Sequence, residues 1–376
     1  MEFGNMLNAL QRSFDTQDST KSTVLVAVGA GALVCTGFYL LSKSKKGSGT
    51  LGLSGGNIED SGVKDAFAAF SEAYNIESGA GIKDHEKAAE VTDTYYNLAT
   101  DFYEWGWGES FHFSPPLPGK NLKQSEISHQ ARIVGLLGLK PGMTCLDAGC
   151  GVGGPMRTIS CMSGAQVLGV TINEYQVERA NYHIGKAGIK LCKAVQGSFL
   201  ELKNEPNTFD AAYAIEATCH APTLESVYSQ IYRVLKPGAR FVSYEWLTTD
   251  KFVESDPKHV ETIHSICYGN GLPNMRSIPD TLAAAKAVGF EILDARDLAI
   301  DVGAGEWYDR LVATRGTASY INKFLVNALS FLHLLPKGVK EVHDMLFDHA
   351  AGGLIDGGKS GIFTPMYLVV LQKPAA

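Results

Sequence analysis

At 376 residues the chain accommodates one large domain with additions or two modest domains. A formal net charge of −7 with 45% hydrophobic residues describes a globular protein and excludes a nucleic-acid binder built on a basic face. Seven cysteines, odd in number and without a Cys-x-x-Cys pair, argue against a disulfide framework or zinc knuckle and fit a reducing compartment.

Residues 1–21 form a mixed-charge N-terminal tail. Residues 22–42 carry no charge, and as a helix they span about 31 Å, the thickness of a bilayer's hydrocarbon core. Lys43, Lys45 and Lys46 follow at once, which by the positive-inside rule leaves the remainder in the cytosol. A single transmembrane anchor helix is expected here, ahead of a cleaved signal peptide or a buried core helix. Residues 43–62 are a Gly/Ser-rich linker.

Residues 63–138 form a helical and aromatic region, with helices expected over 63–74 and 83–101. The stretch 103–113 shows neither helical nor strand period and packs Tyr103, Trp105, Trp107, Phe111 and Phe113 around Glu104, Glu109 and His112. It is either an aromatic core beneath a lid or a pocket wall; the second reading is preferred, because aromatic faces stabilise a cation. A helix over 122–139 is expected to pack on the first strand through Ile127, Ala131, Val134 and Leu137.

Residues 144–155 organise the chain. An apolar strand ends at Asp147, Gly149, Gly151, Gly153 and Gly154 follow, and a helix begins near Pro155. Strand, glycine turn and helix open a nucleotide-binding α/β fold, whose ligand sits at the strand's carboxyl end. The G-x-G-x-x-G spacing of Gly149, Gly151 and Gly154 is a weak signal alone. Preceded by Leu146-Asp147-Ala148, it resembles the glycine loop of class I methyltransferases, which bind S-adenosylmethionine. That resemblance implies Asp147, Gly149, Cys150, Gly151 and Gly153 as cofactor-binding residues.

The second strand, over 165–170, lacks the acidic residue that usually ends it and holds the ribose; Asn173 and Gln176 are the candidates instead. Ser198, after a third strand over 191–196, stands where many such enzymes carry an aspartate towards the adenine amino group, and Phe199 can flank the ring. Residues 209–222 open with a strand, placing Glu216, Cys219 and His220 at its carboxyl end beside the glycine loop. A helix over 226–234, a turn at 236–238 and a strand over 239–246 follow. Residues 256–280 read as loop-rich, with 269–273 turning over the pocket; then come a helix over 281–288 and a strand over 290–299. The apolar stretch 307–335 suits one wall of a long cavity or a bilayer contact as well as it suits a dimer or core helix. His343-Asp344 and Asp348-His349 look like metal ligands but read as a solvated helix face, and no metal is expected.

Four segments occur together and in order: Tyr103-Glu-Trp-Gly-Trp-Gly108, Leu146-Asp-Ala-Gly-Cys-Gly-Val-Gly-Gly-Pro155, Tyr213-Ala-Ile-Glu-Ala-Thr-Cys-His-Ala-Pro222 and Tyr244-Glu-Trp246. This set resembles the sterol C24-methyltransferases of fungi, plants and algae, and the hydrophobic N-terminus resembles the plant and algal members. The resemblance implies a Rossmann-like class I methyltransferase with a doubly wound sheet. Its core would lie over 139–305, with helical substrate-covering additions and a C-terminal sterol methyltransferase extension over 306–376. It implies methyl transfer from S-adenosylmethionine to C24 of a Δ24 sterol such as cycloartenol, through a C25 cation, a hydride shift and deprotonation. Tyr103, Trp105, Trp107, Tyr213 and Tyr244 then face the cation. Glu104, Glu109, Glu216 and His220 are the base candidates, and Glu216 alternatively lies near the cofactor's sulfonium. A single-pass endoplasmic reticulum protein in sterol biosynthesis is the expectation, and the resemblance leans towards a homo-oligomer. The alternatives are a methyltransferase acting on another lipid alkene such as squalene, and a non-catalytic membrane-tethered binding protein.

Overall fold

The computed structural model describes residues 56–74, 82, 87–300, 305–315 and 317–375, all within a compact unit that begins at Gly47. The tail, the expected anchor over 22–42 and most of the expected linker lie outside the described residues. Among the described residues no helix is long and apolar enough to cross a membrane. The expectation of a single-pass endoplasmic reticulum protein is therefore withdrawn.

Helices α1 (Val63–Ala73), α2 (Ala88–Gly106) and α3 (Leu122–Leu137) precede the sheet. Helix α2 runs further than its sequence period suggests, carrying Tyr103, Glu104 and Trp105 before Gly106 closes it. Val91, Tyr95 and Leu98 keep its apolar stripe in register and buried. Helix α3 is fixed by a capping box between Asn121 and Gln124. Of the expected Ile127, Ala131, Val134 and Leu137 only Leu137 is buried, and Glu126, His129, Gln130 and Ile133 make up the rest of the buried face with Ser125. Gln130 Nε2 bonds His112 Nε2 at 2.7 Å, whereas Gln130 Oε1 and both ring nitrogens of His129 are buried without a hydrogen-bond partner.

The core then alternates β1 (Thr144–Ala148), α4 (Gly154–Ser163), β2 (Gln166–Thr171), α5 (Glu174–Lys186), β3 (Cys192–Gln196), β4 (Phe209–Ile215), α6 (Leu224–Val234) and β5 (Leu235–Thr248). Residues 256–280 are not loop-rich. Asp256 caps α7 (Pro257–Gly269), Pro257 sits in its first turn, and Ile263, Ile266 and Cys267 bury one face. After it come β6 (Arg276–Ser277), α8 (Ile278–Val288), β7 (Glu291–Asp297), α9 (Asp309–Thr314), α10 (Thr317–Phe331) and α11 (Val339–Asp344). A π-helical turn over Met345–Ala350 joins α11 to α12 (Ala351–Ser360), and β8 (Phe363–Gln372) ends the order.

The strands lie in the order β3-β2-β1-β4-β5-β8-β7, with β6 beside β5. Strands β1 to β5 are parallel, whereas β8 runs antiparallel between β5 and β7. The order reverses between β1 and β4, so ligands belong at the carboxyl ends of those two strands. One apolar layer covers each face of the sheet, and a third cluster joins α1 and α2 to Tyr268, Val342 and Met345.

Candidate active site

The glycine loop hangs on β2, where the Gly149 and Cys150 amides both donate to the Val170 carbonyl at 2.9 and 3.0 Å. Gly151 has φ of 53°, a left-handed conformation that costs glycine little. At Gly154 the constraint is space: a Cβ there would lie 1.9 Å from the Glu109 carbonyl oxygen. The aromatic stretch is thereby laid directly on the start of α4.

Two clefts flank the loop. The larger, about 70 Å3, is bordered by Gly149, Gly151, Gln176, Ser198 and Phe199. The smaller, about 30 Å3, is bordered by Glu109, Asp147, Cys150 and Gly151. Gln176 accepts from Thr171 Oγ1 at 2.7 Å, while its buried Nε2 has no partner. Asn173 is occupied: Oδ1 caps α5 through the Gln176 amide at 2.9 Å, and Nδ2 donates to Asp93 and Asn97 at 2.8 Å each. Ser198 Oγ accepts from the Leu200 amide at 3.1 Å. Gly153 lies behind the cleft, where its ideal Cβ would stand 3.1 Å from Ala180 Cβ. Burial pushes Asp147 up to about 7 against the hydrogen bond it accepts from Tyr213.

Beside these clefts lies a cavity of about 400 Å3, within the ~300–1,000 Å3 range of small-molecule sites. Its aromatic wall includes Tyr96, Tyr103, Trp105, Trp107, Phe111 and Trp246. Glu216, directly after β4, enters it with φ of 54°, a strained setting for a residue with a Cβ. Its carboxylate accepts from the Phe113 amide at 2.7 Å and from Trp246 Nε1 at 2.8 Å. Burial nevertheless outweighs both donors and pushes Glu216 up to about 8. His220 is depressed to about 4, chiefly by burial, so its ring is neutral near pH 7. Its Nδ1 faces the Gly271 carbonyl at 3.2 Å and must carry the hydrogen, leaving Nε2 to accept from Tyr96 Oη at 2.9 Å. Tyr103 Oη meets Tyr95 Oη at 2.7 Å, and burial raises Tyr103 to about 12.

Other candidate residues stand apart. Glu104 is clasped by Arg179 Nε at 2.6 Å and His183 Nε2 at 2.7 Å. Burial raises it, but those two partners together hold it below the usual carboxylate range. It joins α2 to α5 instead of entering the cavity. Glu109 pairs with Arg157 at the glycine-loop side. Tyr213 spends its hydroxyl on Asp147 at 2.8 Å inside the sheet. Tyr244 donates to the His129 carbonyl at 2.9 Å and stacks on the His129 ring. Trp107 borders the cavity with one face covered by the Arg310 guanidinium, 3.8 Å from the ring centroid. Tyr96, Trp246 and His343 were not singled out for the cavity by the sequence, although all three border it. The expected wall from 307–335 reduces to Leu311, while α10 holds Phe324 and Phe331 largely exposed. Residues 343–354 form that wall instead, so His343 is buried and not part of a solvated face.

The glycine cradle and the orphan donor on Gln176 suit the ribose and methionyl parts of S-adenosylmethionine. Such a loop at the switch point of this strand order defines a class I S-adenosylmethionine-dependent methyltransferase fold. Among the described residues no cluster of three or more His, Cys, Asp or Glu could hold a metal ion.

Residues 146–243 match the methyltransferase domain family, and residues 311–375 match the sterol methyltransferase C-terminal family. The chain is 48% identical to the Arabidopsis thaliana 24-methylenesterol C-methyltransferase 2 over 350 residues, 92% of this chain and 96% of that protein. It is 42% identical to the botryococcene C-methyltransferase of Botryococcus braunii, covering 93% of this chain and 94% of that one. Among solved structures, the geranyl diphosphate C-methyltransferase of Streptomyces coelicolor A3(2), crystallised with S-adenosyl-L-homocysteine, superposes with a TM-score of 0.56 at 18% identity. That likeness covers 76% of this chain and 98% of that one, and it concerns the fold alone. The chain belongs to the sterol methyltransferase family.

Proposed function

We propose that the protein methylates the side-chain alkene of a sterol, at C24 or at the methylene carbon attached to it, with Glu216 as the group that faces the developing cation and removes the proton. When bound, S-adenosylmethionine supplies an electrophilic methyl group to that alkene, leaving a carbocation on the sterol. The chain's own task is to orient the alkene, surround the cation and accept one proton. Tyr96, Tyr103, Phe111 and Trp246 border the cavity, where aromatic rings can stabilise a cation and keep out water that would trap it as an alcohol.

The observation that carries this reading is the placement of Glu216. It is the carboxylate in the wall of the aromatic cavity, and it follows a strand whose end borders the glycine-loop clefts through Ile215 and Ala217. A cation beside it favours its ionised form, against the burial that holds it near 8. Two N–H donors keep its oxygens aimed.

The relatives' names favour a 24-methylene sterol as acceptor over the Δ24 sterol expected from the sequence. A hydrocarbon alkene is the second reading, favoured by the likeness to the botryococcene enzyme. Methyl-labelled S-adenosylmethionine incubated separately with a 24-methylene sterol, cycloartenol and squalene distinguishes them. Label in either sterol supports the proposal and fixes the acceptor, whereas label in squalene alone moves the assignment to the second reading.

A further inference from the structure

Among the described residues that border the large cavity, His343 alone carries a buried side-chain polar atom without a hydrogen-bond partner. His343, the penultimate residue of α11, is only 4% exposed and borders the cavity beside Leu346, Phe347, Ala350 and Leu354. Its Nδ1 lies 3.3 Å from Asp344 Oδ1, and Lys340 holds the other carboxylate oxygen at 2.5 Å. A carboxylate only accepts, so Nδ1 carries the hydrogen and Nε2 presents a lone pair. Burial, opposed by Asp344, keeps the ring below the usual histidine range and hence neutral. The ring is held by stacking on Phe347, with centroids 4.4 Å apart and planes at 25°.

That Nε2 is buried and has no hydrogen-bond partner. Leaving a buried polar atom unpaired is costly, and a π-helical turn beside it is a frequent mark of a functional position. Around it the wall is apolar. A ligand completing this end of the cavity therefore offers one hydrogen-bond donor on a large hydrocarbon body.

We infer that His343 Nε2 accepts a hydrogen bond from the 3-hydroxyl of the sterol nucleus, anchoring the ring end while the side-chain alkene lies at Glu216. This rests on the sterol reading above. His343 is here a positioning and specificity residue, which separates hydroxylated acceptors from hydrocarbons and from sterols without a donor at C3.

The test compares the full chain with His343→Leu and His343→Gln, using one sterol and the same sterol lacking its 3-hydroxyl. Wild type is expected to prefer the hydroxylated acceptor by about tenfold in kcat/KM, mainly through KM, the size of one buried hydrogen bond. His343→Leu should abolish that preference, bringing kcat/KM for the hydroxylated acceptor down to that for the deoxy acceptor. His343→Gln, whose carboxamide oxygen can accept, should keep part of it. Equal use of both acceptors by wild type overturns the inference whatever the variants do, as does a preference that survives in His343→Leu. Failure of the sterol reading has its own signature: neither sterol labelled by wild type while squalene is.

Discussion

Trp246 on β5 holds Glu216 on β4's end through a 2.8 Å bond from Nε1 to Oε2, so two neighbouring parallel strands jointly aim one carboxylate. Trp246→Phe keeps the ring and removes the donor. Hydrogen bonds to charged groups are worth ~1.5–3 kcal/mol, so turnover should fall by at least about tenfold. The acid limb of the pH profile should move upwards as the carboxylate loses a stabilising partner; steady-state rates from pH 6 to 9 measure both.

Glu216→Gln should fold and bind S-adenosylmethionine but lose roughly 10²–10⁴ in turnover, the usual weight of a positioned base. In wild type, kcat/KM should rise with pH towards a limb near 8, the value for Glu216 in the free protein. The kcat limb should lie lower, because a bound cation favours the carboxylate. Coincident limbs would show that no positive charge comes near it.

The same group makes stability depend on pH. Glu216 and Asp147 have folded values near 8 and 7, above their unfolded values, so their contribution is complete in acid and is lost as pH rises through those values. His112 and His220 are held near 4, and their contribution is complete above pH 6.5 and is lost as pH falls towards 4. Between pH 6.5 and 8 only the carboxyl trend remains among these four. Thermal stability of the ligand-free protein should fall across that window, and Glu216→Gln should flatten the fall.

Gln176→Ala removes the buried amide that faces the cofactor cleft. The expected result is a rise of about fivefold in KM for S-adenosylmethionine, one neutral hydrogen bond, with KM for the sterol unchanged. Equal weakening of both substrates would indicate collapse of the cleft.

Glu104→Gln tests a structural role. Its carboxylate shares a buried network with Arg179 and His183, and breaking such a pair costs ~3–5 kcal/mol. Denaturant midpoints should drop sharply, whereas turnover per folded molecule should change little. A normal midpoint with lost turnover would return Glu104 to the list of bases.

Local signals in the sequence were enough for the glycine loop and for the position of Glu216. Four closely spaced glycines after a strand, and an acid where a strand stops, each carry their meaning within a dozen residues. Pairings across the fold were not readable. Asn173 and Gln176 both suit a ribose on paper, and only Asp93 and Asn97, arriving from α2, occupy one of them. The family resemblance places Tyr213 among the cation-facing aromatics. Its register opposite Asp147 turns it into the sheet instead. Gly269, Asn270 and Gly271 carry a turn signal, yet the Asp256 cap and the spacing of Ile263, Ile266 and Cys267 make α7 up to Gly269. His343 reads as solvated beside Asp344 in the sequence, whereas in the fold it is buried and stacks on Phe347 of the π-helical turn.

Strand β5 is completed on one side by β4, which precedes it closely, and on the other by β8, which is synthesised only after α7 to α12. Until residues 363–372 leave the ribosome, the edge beside Tyr244 and Trp246 has no permanent neighbour. A nascent chain halted before that point displays an open apolar strand, an invitation to pair with other chains. Maturation of the Glu216 wall is thus tied to elongation through the sterol methyltransferase C-terminal region, and the interval before it is when a chaperone has most to do.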